Sequence, residues 1–306
     1  SPLRRRARAP DTLAPYFRPG FWRRHKILTS LVLAAIAAFY GLVYGATATV
    51  YLVQLLIPVA LVTLLAVGLL PESGVVFERT MTTLFFAFFL ALAVWPDYLA
   101  ISIGSLPWIT IMRLVAIPMA LAFLISLSQS AAYRARLFET LNSSPAVWKL
   151  LALYFALAFV TLPASDKLAF SVNKYIVAIY AWGTVFLLGA LIFVRDGAAR
   201  RFALVLWSGL LICCFIGLWE ARIGQVVWAG HVPSFLKIED EAVARILSGS
   251  VRSAIGVHRV QGKFTTSLSL AEFLSLVTPF ILHFMVTGRT LFERVAAAAT
   301  DRKSVV

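Results

Sequence analysis

Apolar residues along this chain fall in continuous blocks of roughly 20, the length a helix needs to cross a ~30 Å hydrocarbon layer. The blocks cover about 27–45, 48–70, 80–96, 109–128, 148–163, 174–194, 202–219 and 267–287. Within them apolar positions run on rather than alternate, which argues for helices and against a β-barrel. The pattern therefore predicts an all-α fold, a polytopic transmembrane helix bundle of about eight spans. The turn near Gly45-Ala46-Thr47 makes a hairpin of the first two. Pro58 and Pro118 lie inside spans, where neighbouring groups can satisfy the freed carbonyl, so they predict kinks. No internal repeat is visible.

Composition agrees with this pattern. Hydrophobic residues make up 60% of the chain and charged residues 14%, with a mean hydropathy of +0.86. A soluble domain carries about 25% charge. The net charge of +14 would suggest nucleic acid in a soluble protein. Here it reads as basic loops facing the cytoplasm, and nucleic-acid binding is not expected. With both ends on the cytoplasmic side, most of the 28 Lys and Arg fall there, and every inner loop carries at least one. The Arg-rich stretch 1–26 lacks a small-residue cleavage site after the first span, so it reads as a basic cytoplasmic N-terminus rather than a signal peptide. The chain starts without Met and stops abruptly after Asp301-Arg302-Lys303, which reads as a fragment. Cys213 and Cys214 are adjacent within an apolar run and read as packing residues. The four His form no cluster with Cys or carboxylates, so neither a metal nor another cofactor is expected.

This orientation divides the chain into the N-terminus 1–26, spans one to seven over 27–219, a long outer loop 220–266, and span eight with the start of a C-terminal part over 267–306. Two outer segments stand out. Trp95-Pro96-Asp97-Tyr98 through Leu106-Pro107-Trp108 carries the Trp and Tyr that suit a membrane interface. The long outer loop contains Glu239-Asp240-Glu241 ahead of Val243, Ile246, Leu247 and Val251. Acids at the start of an apolar 3–4 repeat predict an amphipathic helix resting on the membrane or the bundle. Glu139, Arg134 and Arg136 belong to an inner amphipathic stretch and read as a solvated face.

Arginine is concentrated on the outer side: Arg222, Arg245, Arg252 and Arg259, with Lys237 and Lys263 beside them and Arg113 at the outer end of the fourth span. Guanidinium groups suit bidentate recognition of phosphate, and such a cluster at the outer leaflet would suit a lipid-linked diphosphate. The competing reading is contact with lipid head groups or pairing with Glu239, Asp240 and Glu241. Arg245, four residues after Glu241, favours pairing. Arg113 can equally snorkel or serve a site.

The segment His258-Arg259-Val260-Gln261-Gly262-Lys263-Phe264, followed by a span that carries Pro279, resembles the O-antigen ligase and polysaccharide polymerase family of bacterial envelope membrane proteins. Members carry an Arg, a Gly three residues on and then an aromatic or apolar residue, as Arg259, Gly262 and Phe264 do. The outer turn before the Arg113-bearing span, and Glu220-Ala221-Arg222 entering the long loop, are similar again. Many members have a Pro-Asn pair after the aromatic residue, where this chain has Thr265-Thr266-Ser267-Leu268. That departure bears on substrate class more than on fold.

The resemblance implies metal-independent, inverting glycosyl transfer on the periplasmic side of the bacterial inner membrane. The donor would be a glycan on undecaprenyl diphosphate, and the acceptor a sugar hydroxyl on lipid A core or another lipid-linked glycan. The leaving diphosphate needs fixed cations. Arg259 and Arg222 are the first candidates, with Arg113 and Arg252 next. Glu220, Glu272 and His258 are candidates for the base that takes the acceptor proton. Against these stand an ion pair for Glu272, a solvated loop position for His258 and a simple tight turn for Gly262. Two other classes share the outer arginines. A lipid-linked sugar transporter or flippase should show ionisable groups or broken helices near mid-membrane. A non-enzymatic assembly protein should tolerate loss of each arginine singly.

Overall fold

A computed structural model of the chain describes residues 26–46, 51–96, 98–101, 109–228, 232, 236–238, 259–288 and 295. The described part is mostly helical. In chain order it contains α1 (Lys26–Ala46), α2 (Tyr51–Leu69), α3 (Glu78–Val94), a short strand β1 (Leu99–Ile101), α4 (Ile111–Gln129), α5 (Ala131–Asn142) and α6 (Pro145–Thr161). After a 3-10 turn at Leu162–Ala164 come α7 (Leu168–Ala178), a π-turn at Ile179–Gly183, α8 (Thr184–Ile192), α9 (Ala198–Ile223), β2 (Leu236–Ile238) and α10 (Ser267–Thr287).

Helices occupy all eight places that the apolar blocks marked. Among the described residues, six stretches are long and apolar enough to cross a membrane: Ile27–Gly45, Ile111–Gln129, Pro145–Ala164, Leu168–Ile192, Ala198–Ile223 and Ser267–Thr287. Of the other two places, α2 is an uncharged helix of 19 residues, and the 17 residues of α3 rise only about 26 Å. Pro58, Pro118 and Pro279 lie inside α2, α4 and α10. The helix expected near 242–251, like Arg252 and His258, falls outside the described residues.

The chain divides into two compact units, Ser1–Glu78 with Leu121–Leu187, and Arg79–Ala120 with Leu188–Val306. In the first, Val43, Leu162 and Val172 form a buried centre onto which Phe39, Phe159 and Tyr175 pack. On its polar side α5 is a short amphipathic helix that buries Tyr133, Leu137 and Leu141, and Ser130 caps it by accepting from the Tyr133 N–H. The solvated face expected here is corrected at Arg134. Its guanidinium pairs with Glu72 and also donates to the carbonyls of Leu127 and Ser128, which ties the 71–77 segment down. Arg136 pairs with Glu78 at 3.0 Å and stays half-exposed.

The second unit is built around the α9–α10 pair. Ala203, Leu206, Trp207, Leu210, Val277, Ile281 and Phe284 form its core. The α9 contributors recur at spacings of three and four, one face of a helix. On α9, Gly209 permits a close approach: a Cβ built there would meet the Ala93 Cβ at 2.5 Å. Membrane helices use small residues in this way, because packing rather than water exclusion holds them together. Gly209→Ala is therefore expected to lower stability by about 1–3 kcal/mol, read as a lower detergent melting temperature with membrane insertion unchanged. An unaltered melting curve would show that the two helices separate freely.

Candidate functional site

The buried stripe of α9 continues through Cys213 and Gly217 to Glu220. Where the pattern asks for one more apolar residue, it supplies a carboxylate that is 0% exposed. A buried carboxylate needs donors, and here they come from the backbone 41 and 42 residues downstream. One oxygen accepts the Gln261 N–H at 3.1 Å and the other the Gly262 N–H at 2.6 Å. Gly262 has φ +57°, the left-handed region that favours glycine. The Phe264 N–H donates to the Gln261 carbonyl at 3.0 Å and closes a turn. Glycine thus does what a tight turn requires, and Glu220 fixes where the turn sits.

The segment after Arg259 lies flat against α9. A Cβ on Gly217 would meet Val260 Cγ1 at 3.2 Å, and one on Gly262 would come within 4.0 Å of the Cys213 carbonyl. Cys213 and Glu220 are about two helical turns, roughly 10 Å, apart on α9. The 260–262 stretch therefore reaches two turns inward from the end of a membrane-long helix.

Next in the turn, Lys263 is 3% exposed. Its ammonium donates to the Leu92 carbonyl and lies 4.1 Å from the centroid of the Phe264 ring. Phe264 in turn packs on Phe273 at 5.5 Å. Leu92 belongs to the last turn of α3, whose carbonyls have no partner further along the helix and carry the negative end of its dipole. Cys213 Sγ donates to the next of them, the Ala93 carbonyl, at 3.0 Å. A cation and a thiol thus cap the end of α3. Thr266 then accepts from the Ser269 N–H at 3.1 Å and caps the start of α10.

A second set of contacts joins residues 98–101, 109 and 236–238 near the same ends of α3, α4 and α9. Strand β1 pairs antiparallel with β2, Leu99 opposite Ile238 and Ile101 opposite Leu236. Ile101 also exchanges two backbone hydrogen bonds of 3.0 Å with Ile109, just before α4. Tyr98, Leu99 and Val226 form a small apolar cluster with Trp95 and Trp228 around it, and the Trp228 indole N–H donates to the Tyr98 hydroxyl at 2.8 Å. Of the aromatic residues expected at an interface, Trp95 and Tyr98 thus gather with Trp228 in one cap, and Trp108 falls outside the described residues.

The sequence candidates take distinct places in this arrangement. Arg222 is exposed in the last turn of α9, two residues beyond the buried Glu220, and Arg259 is exposed two residues before Gln261. The Glu220 clamp thus brings the approaches to both arginines together. Arg113 is half-buried in the first turn of α4, where its N–H donates to Thr110 Oγ1 at 3.3 Å. A cation at that positive helix end gains nothing from the dipole, so helix stability does not explain it. Glu272 is exposed on α10. Sequence reasoning placed Lys263 beside the arginines but gave it no role of its own and no burial. No periodicity marks it, because its burial comes from the turn that Glu220 holds. Glu220 did leave a signal, as a lone carboxylate in step with the buried stripe.

Fold and site together define a multi-pass helical membrane protein with a turn before its last described helix pinned by hydrogen bonds to Glu220. Compared with family models, curated proteins and solved structures, the chain gives no match.

Proposed function

We propose that this protein is a glycosyltransferase of the O-antigen ligase or polymerase type. It would move a glycan from undecaprenyl diphosphate to a sugar hydroxyl on the periplasmic side of the bacterial inner membrane, within a bundle of about eight spans. The observation that carries this reading is the Glu220 clamp, which holds together the backbone within two residues of both Arg259 and Arg222, with the Lys263 ammonium buried next to it. Fixed cations at the end of a membrane helix suit the developing charge of a departing diphosphate, because they need no reorganisation as the charge appears. Arg113 would be a further cation at the mouth of α4. Since both Glu220 oxygens are turned to backbone N–H groups, its part in this reading is to position the turn. Glu272, exposed on α10, then becomes the candidate base among the described residues, with His258 the candidate outside them.

The test is Arg259→Ala and Arg222→Ala in the host, with lipid-linked and surface glycans profiled by gel and mass spectrometry. Each is expected to cut transfer by at least about tenfold, one charge-assisted contact to phosphate. Lys at either position should restore it partly, keeping charge but losing the fork. Polymer accumulating on the carrier would mark a ligase, and single repeat units a polymerase. Full transfer in the double Ala variant would remove the diphosphate assignment.

One observation favours a lipid-linked sugar flippase instead: Lys263 and Glu220 are ionisable groups buried between apolar helices. Loss of carrier-linked glycan from the outer leaflet, with transfer in vitro absent, would decide for that reading.

A further inference from the structure

We propose that the groove beside the α6–α7 turn, in the unit that does not contain Arg259, holds one lipid with a net-negative phosphate head group. The groove has a volume of about 530 Å³, and its lining changes character along its length. Near the turn it offers Thr161, Ser165, Ser171 and Lys174; deeper in it offers Val177, Ala178 and Trp182. From Ser171 to Trp182 the helix rises about 16 Å. A groove that is hydroxyl-rich and cationic at the end of two membrane-long segments, and apolar below, matches an amphiphile lying along the bundle with its head at the turn.

The charged end is directed. Lys174 is exposed, and its ammonium lies 5.1 Å from the centroid of Phe170, one turn nearer the helix start. The stem therefore leans toward the turn, as a lysine does when it carries its charge to head-group depth. Ser165 and Ser171 share a hydroxyl–hydroxyl bond of 2.6 Å beside it. Lys174 is the charged residue among the described residues lining the groove; Asp166 and Lys167, on the turn, do not line it. The unmet charge calls for an anion, and at that depth a bilayer supplies phosphates.

The apolar end is built by an irregularity in the helix. Ile179–Gly183 is a π-turn, a feature frequent at functional sites. Thr184 Oγ1 donates back to the Ile179 carbonyl at 3.2 Å. A Cβ on Gly183 would lie 3.2 Å from the Phe155 ring, so the turn is seated tightly on α6. Its wider winding carries Trp182 beside Tyr154, rings stacked at 6.3 Å and 28°. Trp182 is 58% exposed, a flat wall for a hydrocarbon chain.

The test uses the full chain in nanodiscs of phosphatidylcholine containing one-tenth phosphatidylglycerol or polyprenyl phosphate. Lipid retained after partial delipidation is then counted by native mass spectrometry. The wild type is expected to keep one anionic lipid. K174Q should lose it about fivefold, the factor one basic residue contributes near an anionic head group. K174R should keep it, W182A should weaken it, and R259A should leave it unchanged, which separates this site from the proposed transfer site. Retention of phosphatidylglycerol as firmly as polyprenyl phosphate would assign recognition to the head group. Preference for polyprenyl phosphate would add the isoprenoid chain. Equal retention by wild type and K174Q, or phosphatidylcholine held as firmly as either anion, would overturn the site.

Discussion

Under the proposed function, Glu220→Ala is expected to abolish glycan transfer, by roughly a hundredfold or more, while the protein still inserts into the membrane. The substitution removes the acceptor of two buried N–H groups, Gln261 and Gly262. Each buried donor left without a partner costs about 1–3 kcal/mol. Water is scarce at this depth, so the 260–263 stretch escapes that cost by leaving α9, taking Arg259 with it and drawing Lys263 from the end of α3. Glu220→Gln should fare little better, since one of its two faces now presents N–H to N–H. Cysteine-reactivity scanning at Val260 and Phe264 checks the opening directly, and both variants should raise it together with the loss of transfer. If Glu220 were the proton acceptor instead, Glu220→Gln would lower kcat with these positions as protected as in the wild type. That pattern would end the positioning role.

This dependence explains what the sequence could and could not disclose. Residues 27–45 and 267–287 were legible to within a residue, because those helices begin and end where hydropathy changes. The ends of α9 were not. Gly197 and Gly224, both left-handed, set them, so the helix takes in Arg200, Arg201, Glu220 and Arg222, which a hydropathy window discards. Backbone hydrogen bonding, not lipid contact, decides there. The start of α7 lies six residues before the apolar block, and its π-turn has no signature beyond Gly183. The β1–β2 pair joins three-residue strands far apart in sequence and left no pattern to read. Within the site, arginine type and side of the membrane suggested Arg259 and Arg222, but the clamp that joins them spans 41 and 42 residues. Contacts at that separation are set by how α9 and α10 pack, a tertiary event. Arg134 was misjudged for the same reason: its partner Glu72 lies 62 residues away.

Lys263 offers the sharpest separation of stability from function. A buried ammonium that donates to the Leu92 carbonyl and lies over the Phe264 ring is an expensive way to fill space. Burying a cation costs several kcal/mol before its contacts return any of it. If its only task were to cap α3, a neutral side chain of similar length would serve as well, and replacing buried charges by apolar groups of similar volume is often neutral or stabilising. Lys263→Met is therefore expected to leave the melting temperature in detergent unchanged or raised by a few degrees. Under the proposed function it should also cut transfer by at least about tenfold, because the positive charge behind Arg259 is gone. Lys263→Ala should lose stability as well, since it empties the space between Leu92 and Phe264. Measured side by side, the Met variant isolates the charge and the Ala variant the volume. Transfer at wild-type rate in Lys263→Met would make the ammonium a helix cap and nothing more, and would leave the diphosphate to the two exposed arginines and Arg113. A loss of stability in Lys263→Met as large as in Lys263→Ala would instead mean that the hydrogen bond to Leu92 holds the α3 end in place. The buried turn would then be a structural joint on which the arginines are mounted.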